Sequence, residues 1–181
     1  IEKHGHIRTD NYFWLRDLEN PEVLAHLEAE NTYTASMMAH TKPLQKRIFE
    51  EFQARIKQTD ASAPYKKGRH FYYTRTEEGQ QYPIYCRKRD SLYAAEQVIV
   101  DVNQVAEKRD FCSVQPPKIS PNENIMAYAV DTTGRRLYTL YFKNLATGEM
   151  LDDVIPEVTG GLAWANDNQT LFYAKQDSET L

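Results

Sequence analysis

Ser120-Pro121-Asn122-Glu123-Asn124-Ile125-Met126-Ala127-Tyr128-Ala129 returns, in outline, as Ala165-Asn166-Asp167-Asn168-Gln169-Thr170-Leu171-Phe172-Tyr173-Ala174, an offset of 45 residues from Tyr128 to Tyr173. Each copy is a polar turn followed by a strand built on an aromatic centre. A period of roughly 40–50 residues with that content suits one four-stranded blade of a β-propeller.

Outward from the repeat the same grammar continues. Short aromatic and β-branched runs at 70–76, 82–88, 96–102, 111–114, 125–131, 137–144 and 170–176 read as strands. Glu78-Gly79, Pro121 to Asn124, Thr133-Gly134, Thr147-Gly148 and Asn166 to Asn168 supply the turns between them. At a 45-residue period, Tyr65 to Leu181 holds about two and a half blades. Each blade needs two neighbours to cover its faces, so a ring of this kind is expected to remain incomplete within these residues.

Before residue 62 the apolar period is helical. Asn20 followed by Pro21 is a helix start, because the amide side chain can cap free N–H groups and proline is pre-set for the first turn. Leu24, Leu27, Asn31, Ala35 and Met38 fall on one side of a helix over 21–39. A second helix over 42–58, with Pro43 in its first turn, sets Leu44, Ile48, Phe52 and Ile56 four apart and leaves Lys46, Arg47, Glu50, Glu51 and Lys57 opposite. Both helices carry an apolar stripe that asks for a partner. The fold class is therefore mixed: an α-helical arm over 1–62, then an all-β segment over 63–181 forming the first two to three blades.

The formal net charge is -4, from 22 basic and 26 acidic residues, which argues against a nucleic-acid-binding surface over the whole molecule. No apolar run approaches the roughly 18 residues of a membrane span, and the first residues show no secretory pattern. Cys86 and Cys112 are the only cysteines and do not form a CxxC. They read as reduced, partly buried strand residues, fitting a reducing, cytoplasmic setting.

Candidate chemistry is sparse. A hydrolase nucleophile elbow requires Gly-x-Ser-x-Gly, and none of Ser36, Ser62, Ser91, Ser113, Ser120 or Ser178 has glycine two residues away. His4 and His6 would share a face if extended, but no ligand-spaced Cys, Asp or His follows; His26, His40 and His70 stand alone. Basic clusters at Lys66-Lys67-Gly68-Arg69, Arg87-Lys88-Arg89 and Arg135-Arg136, interleaved with Tyr72, Tyr73, Tyr82 and Tyr85, could stack single-stranded nucleic acid. The favoured reading is that the cations protect strand ends while the tyrosines fill layers between blades. No catalytic, cofactor-binding or metal residue is assigned, and no cofactor is expected.

One further tract, His4-Gly5-His6-Ile7-Arg8-Thr9-Asp10-Asn11-Tyr12-Phe13-Trp14-Leu15-Arg16-Asp17, packs three aromatics between charged flanks. With Glu30-Asn31-Thr32-Tyr33, Ser62-Ala63-Pro64-Tyr65, Phe142 to Gly148 and Trp164 to Asp167, it resembles the prolyl oligopeptidase family of serine peptidases, most closely its oligopeptidase B branch. The resemblance implies an α/β-hydrolase peptidase domain with a Ser-His-Asp triad beyond Leu181, capped by a seven-bladed propeller that screens out folded proteins. It implies hydrolysis of short peptides after Arg or Lys, the branch being the sole basis for preferring basic residues to proline. It also implies that residues 1–62 pack on the peptidase domain through Tyr12, Phe13 and Trp14, with Arg8, Asp10, Arg16 and Asp17 exchanging hydrogen bonds. Partners on this reading are short peptides and the chain's own carboxy-terminal domain, with neither nucleic acid nor membrane, and the 181 residues alone are inactive. The rival reading is a stand-alone propeller-like interaction module without enzymatic activity.

Overall fold

A computed structural model describes residues 2–177. The chain divides after Ile56 into two units. In the first, β1 (Glu2–Lys3) and β2 (His6–Ile7) form a hairpin closed by His4 and Gly5, both at positive φ, as a tight two-residue turn demands. His4 is thus at a turn, and the extended segment that would have set His4 and His6 on one face does not exist.

A 3-10 turn over Phe13–Arg16 leads to α1 (Pro21–Met37). Asn20 caps α1 through its side-chain oxygen, which accepts the Glu22 N–H at 2.9 Å, and Pro21 fills the first position. A second 3-10 turn, Ala39–Thr41, joins α1 to α2 (Lys42–Arg55). Both helices end two or three residues before the periodicity does, α2 because Ile56 turns to extended backbone. Of α1 only Val23 is buried. Leu24, Leu27, Leu44, Ile48, Phe52 and Ile56 are all exposed, so the stripes read from the sequence are open faces of this unit. The helical unit stops at Ile56 rather than at residue 62, because Asp60 and Ala61 already pair with Thr76 and Arg75 as the first strand of the sheet region.

The second unit runs β3 (Asp60–Ala61), β4 (Tyr65–Lys67), β5 (His70–Thr76), β6 (Ile84–Arg89), β7 (Glu96–Asp101), α3 (Val102–Ala106), β8 (Ser113–Val114), β9 (Lys118–Ile119), β10 (Ile125–Asp131), β11 (Tyr138–Asn144), β12 (Met150–Trp164) and β13 (Leu171–Lys175). All pairing is antiparallel. One sheet has the order β3-β5-β6-β7 with β4 also on β5; the other has β13-β12-β11-β10-β8 with β9 also on β10.

Three copies of one device organise these sheets. The first strand of each blade is interrupted by a three-residue bulge: Ser62 to Pro64 between β3 and β4, Gln115 to Pro117 between β8 and β9, and Thr159 to Gly161 within β12. In the first two copies three bulged residues face two on the partner, and Ser62 and Gln115 donate their N–H groups to Thr74 O (2.8 Å) and Ala129 O (2.9 Å). Bulges of this kind bend and twist a strand locally. The 45-residue repeat holds at atomic detail: Ile119 faces Met126 as Trp164 faces Leu171. Ser120 N–H donates to Ile125 O (2.8 Å) as Ala165 N–H does to Thr170 O (2.9 Å), and Glu123 and Asn168 both sit at positive φ.

β10 is buried on both sides. Met126, Tyr128 and Val130 pack with Tyr72, Ile99, Val100 and Val102 of the first blade. Ala127 and Ala129, pointing the other way, pack with Leu140, Val158 and Leu162. That two-sided burial is what a blade between two neighbours requires.

Candidate functional site

One end of the first two blades gathers a set of polar side chains around Glu123. On β5 and β6, His70 lies opposite Arg89 and Tyr72 opposite Arg87. Directly paired residues share a face, and alternate ones do too, so all four side chains stand on one side of the sheet. Glu123 reaches them from the β9–β10 turn. Its carboxylate accepts the Arg69 N–H at 3.1 and 3.2 Å and lies 3.1 Å from His70 Nδ1, out of line with the ring N–H.

Gly68 makes room for this approach. It holds φ +56, and a Cβ there would stand 2.3 Å from Glu123 Oε1. The next blade repeats the grip: Asn168 Oδ1 accepts the Asn122 N–H at 2.7 Å, as Glu123 accepts that of Arg69. In each case the positive-φ residue of one turn holds a backbone N–H of the preceding turn.

Behind Glu123 lies Arg87, only 5% exposed. Its Nη1 donates to the Glu123 carbonyl at 2.8 Å and its Nε to Gln97 Oε1 at 2.7 Å, while Gln97 Nε2 donates to Leu145 O at 2.7 Å. The chain of bonds crosses between blades twice. Outside it, Arg69 binds Asp90 through two bonds of 2.9 and 2.6 Å, and the Arg89 Nε is 3.6 Å from the same carboxylate. The Arg69 hydrogen bond holds the Asp90 carboxyl below its usual range. Arg69, His70, Arg87, Arg89, Gln97 and Glu123 border a cleft of about 670 Å³. Tyr72 is buried with its hydroxyl unpartnered, and burial raises its pKa.

A second recess, about 350 Å³, sits where the bulges of blades one and two meet, walled by Tyr65, Tyr72, Tyr73, Tyr85, Pro116 and Pro117. Cys86 also borders it, but burial, ahead of the nearby Glu96 charge, pushes its thiol up to about 11, so it is neutral near pH 7. Cys112 is raised by burial as well. The arrangement can bind and orient, and neither of the two thiols is activated.

Three of the serine hydroxyls accept main-chain N–H groups. Ser62 Oγ accepts from Thr74 N–H, Ser91 Oγ from Tyr93 N–H and Ser120 Oγ from Ile125 N–H. Ser36 lies within α1 and Ser113 within β8; Ser178 lies outside the described residues. No three His, Cys, Asp or Glu side chains among the described residues come together as a metal group.

Within the basic clusters, Lys67 Nζ donates to Ile119 O at 3.2 Å, Lys88 Nζ to Leu92 O at 3.0 Å, and Lys66 lies over the Phe71 ring at 5.7 Å. The Arg136 amide donates to Asp131 Oδ2 at 2.8 Å, and the Arg135 amide to Thr133 Oγ1 at 3.3 Å. In the aromatic tract, Asp10 accepts the Tyr12 N–H, Arg16 stacks over Phe13 at 4.7 Å, and Trp14 meets His26 at 5.5 Å while remaining 39% exposed. The Arg87–Gln97–Glu123 network escaped the sequence reading because its members lie 10 and 36 residues apart with no periodic signal. The equivalence of Glu123 and Asn168 was the one visible trace.

Comparison with known proteins is consistent across sequence and structure. The family described as "Prolyl oligopeptidase, N-terminal beta-propeller domain" matches residues 1–181. The chain is 43% identical to dipeptidyl aminopeptidase BI of Pseudoxanthomonas mexicana, over 98% of this chain and 27% of that protein. It is 35% identical to protease 2 of Moraxella lacunata, over 97% of this chain and 26% of that one. The structure of oligopeptidase B from Leishmania major superposes with a TM-score of 0.86 at 38% identity, covering 94% of this chain and 25% of that one. The chain therefore spans about a quarter of the length of these relatives.

Proposed function

Since the chain belongs to the prolyl oligopeptidase family, as the amino-terminal part of its propeller domain, we propose that it serves a serine oligopeptidase that hydrolyses short peptides after Arg or Lys. The observation that carries this reading is the fit to oligopeptidase B of L. major at 38% identity and TM-score 0.86. The work of these residues is selection and assembly rather than bond cleavage. The blades form part of a screen that admits short peptides, and the helical unit offers Leu44, Ile48 and Phe52 to the peptidase domain. Acyl transfer by a Ser-His-Asp triad belongs to that domain, and the setting is cytoplasmic.

A second reading follows from the 43% identity to a dipeptidyl aminopeptidase: release of dipeptides from a free amino terminus. A pair of substrates separates the two. The full-length protein should cleave an amino-terminally blocked peptide carrying Arg before the scissile bond, and a variant with Pro in that place should be poor. Activity confined to unblocked dipeptide conjugates would replace the oligopeptidase reading by the dipeptidyl one. Equal cleavage of short peptides and of a folded protein bearing the same sequence would remove the screening role.

A further inference from the structure

Successive seams between blades are packed differently at their bulges. Ser62 and Gln115 hold the same place in the repeat, each donating its N–H to the second strand of its own blade, at Thr74 O and Ala129 O. At the seam between the second and third blades the glutamine takes up the space. Its side chain lies against Gly160, where an added Cβ would stand 2.9 Å from Gln115 Cδ, and its Nε2 donates to the Tyr138 hydroxyl at 2.7 Å. At the seam between the first and second blades that place belongs to a serine. Ser62 stops at Oγ, which accepts the Thr74 N–H of its own blade at 3.0 Å. What a glutamine closes at one seam stays open at the other, as the recess of about 350 Å³. Tyr65, Tyr72 and Tyr85 wall it from the first blade, and Pro116 and Pro117 from the second. The Tyr65 ring stacks on that of Tyr72 with centroids 5.7 Å apart, yet Tyr65 remains 62% exposed. Among the described residues, no Asp, Glu, Lys, Arg or His borders the recess.

We propose that this recess is a binding subsite for one aromatic side chain of a bound peptide. Its volume stands at the small end of the roughly 300–1,000 Å³ of ligand pockets, which is room for a single large side chain rather than an extended segment. The uncharged walls offer nothing to balance an ammonium or a carboxylate, so an ionised side chain would lose its water without compensation. A flat ring gains more here than a branched aliphatic group. It can meet the tyrosines in the offset or edge-on arrangements that aromatic pairs prefer, with the proline rings closing the other side. The subsite thereby adds a preference for an aromatic residue at one fixed position of the peptide. This rests on the oligopeptidase reading for the peptide itself, but the subsite is read by binding alone.

The test uses the full-length protein and a series of peptides of one length. Each holds a single Arg before a reduced, uncleavable bond and is otherwise alanine, with one phenylalanine walked from position to position. In calorimetric titration one position should bind on the order of tenfold more tightly than the alanine parent. Leucine there should keep only part of the gain, and lysine none. Ser62→Gln copies the residue that this fold already carries at the next seam, so it fills the recess with a side chain the architecture accepts. It should erase the gain and leave the affinity of the alanine parent unchanged. Tyr65→Ala removes an exposed wall and should cut the gain several-fold, which decides the matter if Ser62→Gln melts early. A walk without any favoured position overturns the proposal, as does a gain that survives both variants. Leucine equal to phenylalanine overturns the aromatic assignment. A flat walk in a protein that cleaves after Arg refutes the subsite alone, whereas a gain in binding without any peptidase activity sustains the subsite and refutes the proposed function.

Discussion

Gly68→Ala tests the grip between the first two blades. Two costs arise at this residue. An alanine forced to φ +56 pays roughly 1–2 kcal/mol for the left-handed conformation. Its Cβ would also lie 2.3 Å from Glu123 Oε1, so the carboxylate must leave the Arg69 N–H. Losing a charge-assisted hydrogen bond from a mostly buried carboxylate adds roughly 1.5 kcal/mol at the low end of its range. The total is about 3 kcal/mol, which corresponds to roughly a hundredfold faster exchange of the Arg69 amide in native-state hydrogen exchange if the seam opens locally. In a Glu123→Ala background the clash is gone and only the conformational cost of about 1–2 kcal/mol remains. The double-mutant cycle should therefore show a coupling of roughly 1.5 kcal/mol. If the two substitutions add without coupling, the close approach of Glu123 is not what reserves this position for glycine.

Leu140→Ala should cost roughly 2–5 kcal/mol by opening a cavity in the core shared by the second and third blades, read as a lower denaturation midpoint. Asp131 is buried, which raises its pKa, yet bonds from the Thr133, Arg136 and Gly134 amides and the Thr133 hydroxyl outweigh burial and hold it below the ordinary value. Its stabilisation is therefore complete above the unfolded value of about 3.9 and lost as pH falls through the lower folded value. Asp131→Ala should remove that acid limb from the stability profile, and an unchanged profile would assign it to other carboxylates. Cys86 should resist a thiol reagent at pH 7 until denaturant is added; fast native labelling would contradict its raised pKa. Trp14→Ala in the full-length protein should lower the melting temperature and leave KM near normal, whereas an unchanged melt would refute its role as an anchor.

The parts of the fold that obey local rules were readable in the sequence. Asn20-Pro21 placed the start of α1, β5 and β10 ran over the expected residues, and the 45-residue repeat marked two blades. The reading failed where tertiary pairing overrides composition. Met150 to Trp164 carries an acidic pair, Pro156 and Gly160-Gly161, all strand breakers, yet it is one long strand. Pro156 falls where the ladder to β11 shifts register, so its missing N–H costs little. The glycines lie where the strand changes partner. The first blade escaped the repeat search because α3 and its following loop lengthen the path to the second blade. The seam network was illegible because hydrogen bonds between distant residues leave no periodicity.

β12 has a consequence for how this molecule can be taken apart. Val158 pairs with Tyr138 on one side and with Lys175 on the other, so a single strand ends one blade and begins the next. The repeat unit of the sequence and the unit of the architecture are thus out of phase, and the joint between the second and third blades has no linker at which to cut, insert or hinge. A protease would find its sites between β7 and β8 rather than there, and a surgeon of genes who trims at the repeat boundary would sever a strand. Force applied along the chain would pass from one blade to the next through unbroken β-structure, making the second and third blades yield as one body while the first can part from them.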